Sequence, residues 1–270
     1  MPMPHEPLGM TVNRVGVIGL GSMGRGIIMS LRRGGFRVLG HDDSAQARDT
    51  LQDEGVAVTR TLAGAASTAG LLILALPNSA AVEQLVFGPD GLLLNGPAGL
   101  IVLDTTPTAP HSARKVAGAL EAMGIHYLDG AASGGPQAAI TGTLDLLLGG
   151  EQAHIDTIAP VLAAISTRRV HAGPAGAGHA ARLLRQLVVG TELLIADEAA
   201  RIAAALGLDP RLTLHRARQL YDGVTDARHL QSDLNLAMHL IDASSAAAPL
   251  GRAAGRLWAA AGGGPPDAMN

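Results

Sequence analysis

Gly19, Gly21 and Gly24 stand at G-x-G-x-x-G spacing within the stretch Val15–Gly24, and a pair of carboxylates, Asp42 and Asp43, follows about 20 residues later. Residues of these types in this order suit the holding of a dinucleotide. The first glycine permits a tight turn, the second lets the backbone approach a pyrophosphate, and the third lets a helix pack close to a strand. Free N–H groups at the helix start then face the phosphates, and a carboxylate at the position of Asp42 can grip a ribose 2′-hydroxyl. Two adjacent carboxylates repel a 2′-phosphate, so the pair favours NAD over NADP.

That chemistry requires a strand, a turn, a helix, a second strand and an acid in succession. Val15, Val17 and Ile18 form a short apolar run suited to a buried strand, and Ile27, Ile28 and Leu31 continue at helical spacing. A second apolar run, Phe36 to Leu39, leads into Asp42. Further along, helix is expected over 44–54, strand over 56–58 and a small helix from Thr61. The fully apolar run Leu71–Leu76, stopped by Pro77 and Asn78, reads as a buried strand whose end opens toward the cofactor. Helix over 79–87, strand over 100–104, helix over 110–123 and strands over 126–129 and 144–148 complete the alternation. This pattern predicts an α/β fold with a Rossmann-type doubly wound parallel sheet. Between the last two strands, Ser133, Gly134 and Gly135 bring backbone close to something and offer one hydroxyl, which suits either a binding segment or a structural turn. Arg168 and Arg169 read as a solvated strand edge.

From Gly173 the pattern changes. After the glycine-rich break 173–178, strand-like runs disappear and a helical pattern runs from about His179 to Leu206, followed by shorter helices near 210–220, 226–241 and 249–261. The expected organisation is a flexible tail over 1–13, a dinucleotide-binding domain over 14–173 and an all-α domain over 174–270, entered through a long interdomain helix.

Composition narrows the function classes. The 270 residues are 47% hydrophobic but only 2% aromatic, carry a net charge of -3 and contain no cysteine. Disulfides and thiol chemistry are thereby excluded, and neither nucleic-acid binding nor a base-stacking platform is indicated. The ten histidines show no ligand-like pairing, so no metal is expected. Neither a signal peptide nor an apolar run of about 18 residues is present, so a cytoplasmic protein without a membrane partner is expected. Lys115 is the only lysine.

Taken in order, these stretches resemble the β-hydroxyacid dehydrogenase family, which includes 3-hydroxyisobutyrate dehydrogenase, tartronate semialdehyde reductase and L-threonate dehydrogenase. Gly19-Leu20-Gly21-Ser22-Met23-Gly24 matches the family's cofactor motif, and Leu76-Pro77-Asn78 resembles the segment beside the cofactor. Asp129 to Gly135 resembles its substrate-binding motif, and Gly142-Thr143-Leu144 with Gly149-Gly150 also fits. Gly176-Ala177-Gly178 matches the lead into its catalytic lysine. Gly40-His41-Asp42 and the segment from Gln186 to Gly190 resemble the threonate branch more than the hydroxyisobutyrate one. The resemblance implies an NAD-dependent oxidoreductase acting on a small 3-hydroxy acid or related carbonyl, assembled as a homodimer through the helical domain.

The departures concern catalysis. Counted from Gly178, the family's lysine falls on Arg182; a second lysine, ahead of Asp233-Leu234, is replaced by Ser232; a threonine falls on Pro107, beside Thr105 and Thr106. The connection 207–232 is shorter than the family's. Hydride transfer needs a group that steadies charge on oxygen and a route for a proton. Arg182 supplies charge and donors but is a poor proton carrier. His179 and Gln186 share a helix face with it, so Gln186 could orient the oxygen while His179 or a water moves the proton. Two alternatives stay open: an imine reductase, whose substrate nitrogen carries the proton, and an NAD-binding protein with little turnover.

Overall fold

A computed structural model describes residues 13–209, 237–238, 241–242 and 246–260. The expected helices near 210–220 and most of 226–241, the segment with Ser232, and all but Asn13 of the expected tail lie outside the described residues. The chain divides into two units, Met1–Leu184 and Arg185–Asn270.

The first unit is built on eight strands: β1 (Arg14–Ile18), β2 (Arg37–His41), β3 (Ala57–Val58), β4 (Leu71–Leu74), β5 (Ile101–Asp104), β6 (His126–Ser133), β7 (Leu144–Gly149) and β8 (Ser166–Gly173). Their order in the sheet is β3-β2-β1-β4-β5-β6-β7-β8. The helices are α1 (Ser22–Arg33), α2 (Ala45–Asp53), α3 (Leu62–Thr68), α4 (Ser79–Phe87), α5 (Leu92–Asn95), α6 (Pro110–Glu121), α7 (Gly135–Thr141), α8 (Gln152–Thr157) and α9 (Ala159–Ile165). Every pair from β3 through β6 is parallel. The doubly wound arrangement therefore stands, with one difference from the sequence expectation: β7 runs antiparallel to β6, and β8 follows β7 in parallel. Only the short α7 and its flanking glycines join β6 to β7, and a parallel crossover needs a dozen or more residues.

The central strand β4 is apolar and buried at every position because both faces of the sheet are covered. In β4, Leu71 and Ile73 enter one buried cluster with Val15, Val17 and Ile27, while Leu72 and Leu74 enter the other with Val82, Val86 and Val102. The outer strand β8 is exposed along most of its length, Arg168 and Arg169 included. Charge there blunts an unpaired edge.

Helix α10 (Ala177–Ala205) begins in the first unit and continues into the second. In the second unit, buried Glu198 accepts hydrogen bonds from the backbone N–H groups of Leu250 and Gly251, both at 2.8 Å. It thereby satisfies the start of α11 (Pro249–Ala260). Leu184, Leu187, Val188 and Leu194 are exposed on α10. No helix among the described residues is long and apolar enough to cross a membrane.

Candidate functional site

The strand order reverses between β1 and β4, and ligands of open α/β sheets bind outside the carboxyl ends of the strands at such a point. A cleft of about 1040 Å³ lies there, walled by the segments that follow β1, β2, β3, β4 and β5. The three glycines perform three different steric tasks. Gly19 has φ +92°, and its N–H donates to the His41 carbonyl at 2.9 Å, tying the start of the turn to the end of β2. Gly24 has no room for a Cβ, which would collide with the Gly19 carbonyl oxygen. At Gly21 a Cβ would meet nothing within 4 Å. Its backbone is open toward the cleft, and it forms the N-cap of α1 without any side-chain hydrogen bond. The first-turn N–H groups of α1 are thus free of a side-chain cap, as a phosphate site needs.

Asp42 is held by both oxygens. Leu20 N–H donates to Oδ2 and Ser44 N–H to Oδ1, each at 2.8 Å. One carboxylate therefore ties the glycine loop to the start of α2 and stands in the cleft wall beside the exposed Asp43. Gly19, Gly21, Ser22, Met23, Leu76 and Pro77 also line the cleft. Four of the anticipated cofactor residues support the walls without forming them. Leu20 is buried, and Gly24 packs α1 on the turn. Asn78 caps α4, its Oδ1 accepting from Ala81 N–H at 3.0 Å. Thr106 is buried, and its hydroxyl accepts from Leu76 N–H at 3.0 Å. Thr105 and Pro107 line the cleft on that side.

The sequence reading missed Arg60 and Thr61, which line the cleft from the β3–α3 junction. The available signal was positional: residues just past a strand neighbouring the reversal point face the ligand. Arg60 is exposed and shares the lining of this cleft with Asp42, Asp43 and Asp90.

The anticipated substrate and catalytic residues are not among the cleft walls. Ser133 ends β6, and Gly134 and Gly135 follow it with φ of +111° and +70°, turning the chain into α7. Helix α7 leans on α1: a Cβ on Gly26 would lie 2.8 Å from Ala139 Cβ, and Ser30 and Arg33 donate to the Ile140 carbonyl at 3.1 and 2.6 Å. The substrate-motif segment is thereby braced by the helix that starts at the glycine loop. Arg182 is half-buried and Gln186 exposed on α10. His179 is buried.

Beneath the first turn of α10 lie two fully buried carboxylates, Asp104 and Asp129, at paired positions on the adjacent strands β5 and β6. Asp104 Oδ2 accepts from the hydroxyls of Tyr127 at 2.7 Å and Thr108 at 2.9 Å, and Oδ1 accepts from Thr106 N–H at 2.9 Å. Burial, reinforced by the charge of Asp104, holds the Tyr127 hydroxyl well above its ordinary pKa of 10.0. The tyrosine thus stays protonated and donating. Asp129 Oδ1 accepts from Gly176 N–H at 2.6 Å, and Oδ2 from His179 N–H at 2.8 Å. Among the described residues, no group of three or more His, Asp or Glu side chains is placed to hold a metal ion.

Residues 14–173 match the family described as the NAD binding domain of 6-phosphogluconate dehydrogenase. The chain belongs to that family. It is 29% identical to the NAD-dependent L-serine dehydrogenase of Pseudomonas aeruginosa across 92% of this chain and 91% of that protein. It superposes on the 3-hydroxyisobutyrate dehydrogenase of Mycobacterium tuberculosis, determined with L-serine, with a TM-score of 0.70 and 26% identity over 92% of this chain and 94% of the other. The imine reductase of Myxococcus stipitatus, determined with NAD+, shares the fold at a TM-score of 0.76 and 18% identity over 92% and 93% of the two chains. As a member of this family the chain is an oxidoreductase of the β-hydroxyacid dehydrogenase type, with an NAD(P)-binding domain.

Proposed function

We propose that the protein is an NAD-preferring dehydrogenase of a small 3-hydroxy acid, with L-serine or a close analogue as the substrate class. The observation that carries the cofactor half is the open backbone at Gly21 beside the doubly held Asp42. The substrate half is supported by the L-serine dehydrogenase relative and by the hydroxyisobutyrate dehydrogenase determined with L-serine. When bound, the nicotinamide supplies or accepts the hydride. The chain's own residues then do the following. The first turn of α1 binds the pyrophosphate, Asp42 and Asp43 hold the adenosine ribose and repel a 2′-phosphate, and Leu76, Pro77 and Asn78 with the Thr106 support form the wall nearer the nicotinamide. Ser133, Gly134 and Gly135 bind the substrate.

Arg182 takes the position of the family's lysine. Its guanidinium steadies negative charge on the substrate oxygen or carboxylate, Gln186 orients the oxygen, and a water carries the proton, because arginine stays protonated at working pH. The domain roles follow: 14–173 holds the cofactor, and 174–270 is the helical substrate and dimerisation domain. The exposed apolar side chains of α10 support that homodimer, since a monomer leaves them in water. A cytoplasmic location accords with this reading.

Two measurements test the proposal. Fluorescence titration should give an NADH Kd at least tenfold lower than that for NADPH, and NAD reduction should occur with L-serine or another 3-hydroxy acid. Tight NADH binding without turnover of any 3-hydroxy acid, combined with reduction of a cyclic imine, would transfer the reading to the imine reductases.

A further inference from the structure

We propose that His179 is a positioning residue, whose ring and backbone together fix the rotation of α10 and thereby the place of Arg182; this rests on the reading of Arg182 above. The two ends of the residue meet two different strands. Its N–H donates to Asp129 Oδ2 on β6 at 2.8 Å, and its ring Nε2 faces Asp104 Oδ2, at the end of β5, at 3.7 Å. Asp129 also receives Gly176 N–H, so one carboxylate serves two of the donors that the start of a helix leaves unpaired. Space for that carboxylate is kept by glycines: a Cβ on Gly178 would come within 2.8 Å of Asp129 Oδ2, and one on Gly149 would collide with Oδ1.

Asp129 holds the backbone of the first turn at Gly176 and His179, and Ala177 N–H donates to the Pro174 carbonyl at 2.9 Å. The imidazole adds a side-chain contact on a second strand. The ring is 1% exposed, and its Nε2 is the buried side-chain nitrogen or oxygen without a hydrogen bond among the described residues. Enclosed in this way, the ring does not line the cofactor cleft, and the approach of its Nε2 to Asp104 Oδ2 is what ties it to the second strand. Arg182 follows three residues later, one turn along. A side-chain tip about 5–6 Å from a helix axis moves about 2 Å when the helix turns by about 20°, and a misplacement of about 1 Å can cost about 100-fold in rate.

The test compares His179→Leu with His179→Gln, whose amide nitrogen falls near the place of the imidazole Nε2. His179→Leu is expected to lower kcat about 100-fold with the NADH Kd within threefold of the parent, because the cleft is built from other segments. His179→Gln is expected to stay within threefold of the parent in kcat. Hydrogen exchange of the peptide 176–184 should quicken at least tenfold in His179→Leu and not in His179→Gln. A glutamine variant as impaired as the leucine variant would overturn the proposal, since that is the behaviour of a proton carrier. So would a leucine variant with parental kcat or parental exchange. If His179→Leu does not fold, the glutamine variant decides: parental kcat and exchange support the proposal, and loss of either overturns it. If Arg182→Ala turns over like the parent, the reading of Arg182 fails by itself, and the exchange measurement alone then decides the role of His179.

Discussion

The cofactor cleft and the first turn of α10 are built in opposite ways. The cleft is made by backbone: a positive φ at Gly19, an open approach at Gly21 and a closed one at Gly24 place the wall, and Asp42 ties the loop down through two N–H groups. The α10 turn is held by side chains, with Asp104, Asp129 and Tyr127 buried beneath it, His179 buried within it, and Gly149 and Gly178 leaving space for the Asp129 carboxylate. Backbone sites tolerate few substitutions, because sterics leave no alternative. Side-chain sites can exchange members while keeping their geometry, and the catalytic role we propose for Arg182 belongs to a site of this second kind.

The largest effect that would sharpen this contrast is expected at Arg182. Replacing a donor that steadies an oxyanion costs about 10²- to 10³-fold in kcat, so Arg182→Ala should lose that much in steady-state turnover while NADH titration stays unchanged. Arg182→Lys should retain or raise activity, since lysine both steadies charge and moves a proton. Parental kcat in Arg182→Ala would remove catalysis from the α10 turn.

Next come the glycines, where two neighbouring positions should fail differently. Gly24→Ala forces a methyl group into the Gly19 carbonyl oxygen, and such overpacking costs about 1–3 kcal/mol; thermal melting should fall and NADH binding should weaken with it. Gly21→Ala has nothing to strike and should melt like the parent. Its added methyl group instead occupies the pyrophosphate approach and should raise the NADH Kd at least tenfold. Equal melting losses at the two positions would contradict the division of labour.

This contrast also explains what could be read in advance. The glycine turn, the acid after β2 and the apolar strands are local patterns, so their spacing in the chain carries the information. The reversal of β7 could have been anticipated only from the shortness of the link through α7. The contacts beneath α10 lie beyond any window: Asp129 meets Gly176 and His179 across 47 and 50 residues. Arg60 was missed for a related reason: the strand over 56–58 and the helix from Thr61 mark the junction, but its place on the cleft follows only from the order of the strands in the sheet. His179 could be placed on a helix face with Arg182, but its burial against Asp104 depended on the sheet.

A smaller effect is expected at the ribose end. Asp42→Asn keeps one acceptor and loses the charge, so the ratio of NADPH to NADH dissociation constants should fall about tenfold, which is about 1.4 kcal/mol. Asp43→Asn, at an exposed residue, should lower it less. An unchanged ratio in both variants would move cofactor discrimination elsewhere on the cleft, with Arg60 the next residue to vary.

The smallest effect concerns Tyr127 and has a definite sign. Its hydroxyl donates to Asp104 within the buried network, and its pKa is raised above the ordinary 10.0 by burial first and by Asp104 second. The unfolded chain therefore releases this proton at a lower pH than the folded one. Stability from the neutral tyrosine is present in full below about pH 10 and declines as pH rises from there toward the folded value. Tyr127→Phe removes a buried hydrogen bond to a charged acceptor that keeps other donors, a loss of about 1–2 kcal/mol near neutral pH. The variant should also melt with a shallower decline between about pH 9.5 and 11 than the parent, because the titrating group is gone. Parallel melting curves across that range would show that Tyr127 titrates alike in both states, and the support beneath α10 would then rest on the two carboxylates alone.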